Sequence, residues 1–248
     1  MKIQTAIREI VEGRDLAEED VFQVAVSIMD GEAEPCQIAA LLVAMRMKGE
    51  TVEEITGFVR AMRAKVIPVP VAVEGLIDTC GTGGDGAGTF NISTVSAFVA
   101  AGAGCKVAKH GNRSVSSRCG SAEVLEALGV EIEETPERTA RLIEEIGMGF
   151  LFAPMYHKAT RHAVVPRRAI GVRSIFNIVG PLTHPAGARR QVIGVFDAAL
   201  TEPLAHVLQR VGSEHCMVLH GQDGLDEITL DGPTRVTELK DGTIRTWT

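Results

Sequence analysis

Aromatic side chains are scarce in this chain: they make up 4% of its 248 residues, with one Trp and one Tyr. That scarcity argues against a base-stacking nucleic-acid surface or an aromatic-lined sugar groove. A basic excess is also missing, since 25 Lys and Arg face 32 Asp and Glu for a net charge of −7. A broad phosphate-backbone footprint is therefore not expected, and any anion must be met by a local site. Five cysteines (Cys36, Cys80, Cys105, Cys119 and Cys216) are dispersed without CxxC spacing. An odd, scattered set reads as reduced thiols in a cytosolic protein. The opening Met1-Lys2-Ile3-Gln4-Thr5 has no signal-peptide core, and no apolar run approaches a membrane span. Both absences favour the cytoplasm and no membrane contact. No GxSxG nucleophile elbow, HExxH pair or Cys/His zinc spacing occurs, so His110, His157 and His162 are expected to pack or to hydrogen-bond rather than to bind metal.

What is present is a hydrophobic content of 45%, enough for a real core. Residues 1–66 read as helices alone. Ile3, Ile7, Ile10 and Val11 recur at helical spacing, as do Val21, Val24, Ala25 and Ile28. The same holds for Ile38, Leu41, Leu42 and Met45, and for Ile55, Phe58, Val59 and Met62. Met29, Met45, Met47 and Met62 are expected in that helical core. Pro68-Val69-Pro70 marks an extended linker. From residue 75 short apolar runs alternate with helical patterns. Strands are expected at Leu76-Ile77, Lys106–Ala108, Phe150–Phe152, Gln191–Val195 and His215–Leu219, with helices at 92–103, 121–128, 136–146 and 200–211. The expected fold is α/β: a small N-terminal helical domain, 1–66, and a larger α/β domain, 67–248, with a mainly parallel central sheet.

Three segments carry chemistry. Between Asp78 and Thr94 lie five glycines with small hydroxyl and amide side chains, at a strand-to-helix junction. Glycine lets backbone N–H groups turn to a ligand, and the helix N-terminus adds free N–H groups and a favourable dipole. The segment reads as a phosphate cradle. It is not read as a Walker A loop, since no Gly-Lys-Ser/Thr follows, nor as a Rossmann fingerprint. Asp85 fits there as an orienter of an amide, a ribose hydroxyl or a metal-bound water. Next, Lys109-His110-Gly111-Asn112-Arg113-Ser114-Val115-Ser116-Ser117 offers two cations, an amide and hydroxyls after a predicted strand. Two anion-facing loops at one sheet end imply a polyphosphate or two separated phosphates. Last, Asp226-Glu227 is a carboxylate pair of the kind that Mg²⁺ uses alongside substrate phosphates.

With Gly120–Glu126, Arg167–Gly171 and Ile175–Leu182, these stretches in this order resemble the anthranilate phosphoribosyltransferase family across essentially the whole chain. The resemblance implies the nucleoside phosphorylase/phosphoribosyltransferase class of fold. It implies a homodimer joined through the helical domain, and Mg²⁺-dependent transfer from phosphoribosyl pyrophosphate (PRPP) to anthranilate in tryptophan biosynthesis. By resemblance Gly81, Gly84, Asp85, Thr89, Asn91, Ile92, Ser93, Thr94, Ser121 and the nine residues from Lys109 to Ser117 hold PRPP. Ser93, Asp226 and Glu227 bind Mg²⁺, and Gly81, Asn112 and Arg167 contact anthranilate, Arg167 through its carboxylate. No general base is expected, because an aromatic amine is uncharged at neutral pH. Lys158 stands where the family usually has Pro, and family members continue well past residue 248, so the chain is expected to be short at its C-terminus. The alternatives are a pyrimidine nucleoside phosphorylase and an inactive scaffold or binding protein.

Overall fold

A computed structural model describes residues 1–114 and 119–248. The expected PRPP contacts Val115, Ser116 and Ser117 lie outside the described residues. Along the chain run α1 (Ile3–Val11), α2 (Glu18–Met29), α3 (Pro35–Lys48), α4 (Val52–Lys65), β1 (Ile77–Asp78), α5 (Ile92–Gly102), β2 (Val107–Gly111), α6 (Ser121–Ala127) and α7 (Pro136–Ile146). There follow β3 (Met148–Phe152), α8 (Ala153–Tyr156), α9 (Arg161–Ile170), α10 (Phe176–Val179), β4 (Arg190–Gly194), α11 (Thr201–Arg210), β5 (His215–Gly221), β6 (Thr234–Lys240) and β7 (Thr243–Trp247).

The described residues form two compact units. The helical unit takes Met1–Val66 together with His157–Thr183, and the α/β unit takes the rest. The expected split at residue 66 therefore differs in one respect: 157–183 packs with the helices. The reason is apolar. Phe176 of α10 meets Phe58 of α4 edge-on at 5.0 Å, and Arg63 Nε donates to the Leu182 carbonyl at 2.8 Å. His162 of α9 lies over Gly31, where a Cβ would come within 2.6 Å of its ring. The helices begin where capping chemistry says they should. Thr51 Oγ1 accepts the Glu54 N–H at 3.2 Å while the Glu54 carboxylate accepts the Thr51 N–H at 2.9 Å, a reciprocal cap for α4. Most of the predicted helical core is buried, with corrections: Met47 is 84% exposed, Val11 is 71% exposed and Ile7 is only half-buried.

In the α/β unit the strands run in the order β3-β2-β1-β4-β5-β6-β7. Strands β1 to β5 pair in parallel, and β6 and β7 add an antiparallel edge. The connection from β1 leads through α5 to β2, and that from β4 leads through α11 to β5, so the order reverses between β1 and β4. A cleft at such a reversal, at the carboxyl ends of the strands, is where open α/β sheets bind ligands. Strand β1 has only two residues, and its ladder to β2 is the single pair Ile77–Val107.

Candidate active site at the strand reversal

The glycine loop leaves the sheet at the carboxyl end of β1. Gly83 and Gly86 take φ of +64° and +73°, a backbone region that side-chain-bearing residues avoid. The string Gly81-Thr82-Gly83-Gly84-Asp85-Gly86 has the letters of the dinucleotide fingerprint. Yet α5 does not open until Ile92, so no helix begins within the glycines as that fingerprint requires. Thr89 is exposed, whereas Thr94 is buried in the first turn of α5. Asn91 Nδ2 donates to the Gly120 carbonyl at 3.0 Å and Thr79 Oγ1 to the Ser93 carbonyl at 2.8 Å, fixing the start of the helix.

Lys109 is not on the loop after β2, as expected, but within the strand, which runs on to Gly111. This correction matters electrostatically, because Lys109 is only 1% exposed. Its Nζ lies 3.3 Å from the Thr79 carbonyl and 3.2 Å from Ser93 Oγ, so a buried cation is solvated by protein oxygens at the base of the loop. The next residue, His110, gives its backbone N–H to Asp78 Oδ1 at 3.0 Å. Asp78 Oδ2 accepts from Gln191 Nε2 at 3.1 Å. His184 lies close by: its Nδ1 accepts the N–H groups of Ala186 and Ala188, which puts its proton on Nε2, donated to the Ala108 carbonyl at 2.7 Å.

Beyond the strand, Ser121 Oγ donates to the Asn112 carbonyl at 3.2 Å and the Ser114 N–H points at the Glu123 carboxylate. Arg113, expected on phosphate, is engaged elsewhere: it forms a two-pronged pair with Glu126 at 2.7 Å and lies 5.4 Å over the Phe152 ring. Arg167 belongs to the helical unit, on α9, with its guanidinium 4.8 Å over Phe176. Burial works against its charge.

The acidic pair meets the glycine loop. Ser93 N–H, at the start of α5, donates to Glu227 Oε1 at 3.2 Å. Burial first, and the neighbouring Asp85 carboxylate second, push Asp226 well above the usual carboxylate range. Burial and then the charge of Asp226 push Glu227 up to about 7. Like charges crowded in a half-dry pocket are relieved by a cation, so the donor set fits a hard divalent ion. Among the described residues no three His, Cys, Asp or Glu side chains form a complete metal cage. Mg²⁺ takes few protein carboxylates and completes its shell with water and phosphate, so a carboxylate pair such as Asp226 and Glu227 is a donor set of the kind it uses. The site also uses residues whose roles the sequence did not announce: Asp78, Thr79, Thr82 and Gly194.

Comparison with known proteins identifies the scaffold. Residues 4–66 match the "Glycosyl transferase family, helical bundle domain" and residues 73–248 match the "Glycosyl transferase family, a/b domain". The chain is 55% identical over 246 residues to an anthranilate phosphoribosyltransferase of Moorella thermoacetica, covering 99% of this chain and 73% of that protein. It is 57% identical over 244 residues to that of Thioalkalivibrio sulfidiphilus, covering 98% and 72%. A crystal structure of the Thermus thermophilus enzyme superposes with a TM-score of 0.91 at 47% identity, over 98% of this chain and 73% of that one. The Saccharomyces cerevisiae enzyme, in complex with PRPP and Mg, shares the fold with a TM-score of 0.88 at 24% identity. These relatives set aside the phosphorylase and the scaffold.

Proposed function

The chain belongs to the anthranilate phosphoribosyltransferase family, and from that premise we propose how its residues perform the transfer. The reaction moves the phosphoribosyl group of PRPP to the amine of anthranilate, giving N-(5-phosphoribosyl)anthranilate and pyrophosphate in tryptophan biosynthesis. The observation that carries the assignment of residues is the buried Lys109 cation, sharing Ser93 with Glu227 at the N-terminus of α5. A fixed positive charge, loop N–H groups and a carboxylate pair thus converge at the strand reversal.

In this reading Gly81, Gly84, Asp85, Thr89, Asn91–Thr94 and the segment from Lys109 hold PRPP. Lys109 and the loop N–H groups stabilise charge growing on the departing pyrophosphate, in a setting with little water to reorganise. Asp226 and Glu227, with Ser93, would hold Mg²⁺, which supplies neutralisation of the phosphates when bound. Gly81 and Asn112 orient anthranilate so that its neutral amine meets the ribosyl carbon on the face opposite the leaving group. No side chain needs to remove a proton before attack. The Phe176 ring beneath Arg167 gives that planar guanidinium a face to stack on.

The exposed Val11 of α1 and Met47 of α3 support a homodimer through the helical unit, since apolar side chains 71% and 84% exposed on neighbouring helices favour a covered face. The five free cysteines suit a reducing cytoplasm. No helix among the described residues is long and apolar enough to cross a membrane.

The test is anthranilate fluorescence, followed with PRPP and Mg²⁺. The intact chain is expected to consume anthranilate only when both are present. The double variant Asp226→Ala/Glu227→Ala is expected to lose at least about 100-fold in rate at low Mg²⁺. Full activity in that variant would sink the assigned role of the carboxylates.

A further inference from the structure

Gly194 closes β4 beside the two-residue β1, at the point where the strand order reverses. Its φ is not among the positive values of this chain, so its backbone makes no demand for glycine. Space makes the demand. A Cβ at Gly194 would sit 1.5 Å from the carbonyl oxygen of Asp226 and 2.6 Å from its carbonyl carbon. The peptide that carries both acidic residues therefore lies directly on the Cα of Gly194.

The other side of the same residue holds the glycine loop. The Gly194 carbonyl accepts the Thr82 N–H at 2.8 Å, and Thr82 Oγ1 lies 3.3 Å from it. Thr82 Oγ1 in turn accepts the Phe196 N–H at 3.2 Å. A Cβ at Gly81 would approach the Gly194 carbonyl to 3.0 Å and Asp226 Oδ2 to 3.4 Å, so the two loops and the strand end are in contact at one spot. The acidic segment is also tied to itself. Gly221 N–H bonds the Leu225 carbonyl at 2.8 Å, Gln222 N–H the Pro233 carbonyl at 3.0 Å, and Leu225 N–H the Asp223 carboxylate at 3.3 Å. A push on the Asp226 peptide thus moves the segment as a body.

We propose that Gly194 is the positioning residue that seats Asp226 and Glu227 against the glycine loop. The absence of its side chain sets the distance between the carboxylate pair and the phosphate cradle. The inference rests on the transferase reading above and adds to it a residue that touches neither substrate nor cation. Adding one methyl group forces the Asp226 carbonyl to retreat by about 1.5 Å to reach even a tight contact. The Ser93-to-Glu227 hydrogen bond, 3.2 Å long, breaks in consequence. Displacements of that size at groups supporting a metal site typically weaken metal binding 10- to 100-fold, that is by roughly that range.

The experiment is calorimetric titration of PRPP into the full chain across a series of Mg²⁺ concentrations. For Gly194→Ala the Mg²⁺ concentration giving half-maximal PRPP binding is expected to rise at least about tenfold, with far-UV circular dichroism unchanged. Val192→Ala, on the same strand but away from the acidic segment, is expected to leave that midpoint in place. Thr82→Val removes a hydroxyl without adding bulk and is expected to move the midpoint in the same direction, by roughly threefold. In a Glu227→Gln background Gly194→Ala is expected to add little, because its effect acts through the carboxylates. If wild-type chain shows no Mg²⁺-dependent PRPP binding, the transferase reading itself fails. If the wild type binds and Gly194→Ala keeps the same midpoint, the positioning role is overturned. If Gly194→Ala does not fold, an unmoved midpoint in Thr82→Val overturns it equally.

Discussion

Between about pH 4.5 and about 7, and without metal, Glu227 holds a proton that an ordinary glutamate would release. Its pKa is raised to about 7 by burial and by Asp226, so the native chain binds a proton that the unfolded chain releases above about pH 4.5. The associated stability is full below that value and is lost as pH rises through about 7. Without Mg²⁺, the melting temperature is expected to fall between about pH 5 and about pH 8. Saturating Mg²⁺ should remove the fall, because the cation replaces the proton, and Glu227→Gln should shrink it to the part that Asp226 contributes at lower pH. A melting temperature indifferent to pH in the metal-free wild type would contradict this account. Single residues differed in how openly they declared themselves. Asp226 and Glu227 stand side by side in sequence, so their shared role is legible. Lys109 was legible as a phosphate cation but not as a buried one, because only β2 running on to Gly111 reveals that its ammonium points beneath the loop. Gly194 was not legible at all: the atom that forbids a side chain there belongs to Asp226, remote along the chain.

Elements were read best where local chemistry and burial agree. The four N-terminal helices follow their apolar spacing and breaks, and α4 shows why. Glu54 closes its cap, accepts the Leu16 N–H at 3.0 Å and pairs with Lys48 at 3.0 Å, all with no exposure of its carboxylate. Glu54→Ala leaves the buried Leu16 N–H and the half-buried Thr51 N–H without their acceptor, while Lys48 keeps Asp15 at 2.6 Å. It is expected to destabilise the chain by about 2 kcal/mol or more in urea unfolding. Thr51→Ala, which removes only the cap acceptor, is expected to cost about 1 kcal/mol. Equal losses in the two variants would refute the distinction. The elements that escaped were the short α8 and α10, and α9, β6 and β7. Helix α9 carries Pro166 in its interior, which argues against a helix on propensity, and packing of Ala163 and Pro166 overrides it. Strands β6 and β7 join through a two-residue Asp241-Gly242 turn with φ of +50° and +73°. Their alternating, partly exposed pattern sits among polar residues and gives a weak apolar signal.

At the scale of the molecule, two sets of exposed apolar side chains compete as association surfaces. One is Val11 with Met47 in the helical unit; the other is Val95, Phe98 and Val99 along α5, each at least 45% exposed. The proposed dimer uses the first. Sedimentation velocity should therefore show Met47→Lys shifted toward monomer, while Val99→Lys stays dimeric. The reverse pattern would place the interface on α5 instead. The net charge of −7 leaves no long-range pull toward polyanions, so the site depends on local cations and N–H groups. That dependence was legible from composition, whereas the allocation of 157–183 to the helical unit was not. Nothing in that segment's own pattern says which apolar surface it will cover.

The brevity of β1 reaches further than its length suggests. Past Asp78 the ladder to β2 ends, and the Asp78 carboxylate takes over, accepting the His110 N–H on one flank and the Gln191 amide on the other. A side chain, joined by the Thr82 N–H to Gly194 carbonyl bond rather than by a run of paired backbone, thus holds the take-off point of the loop. None of the residues between Gly83 and Phe90 pairs in the sheet, so the strand ladders themselves set no length for that segment.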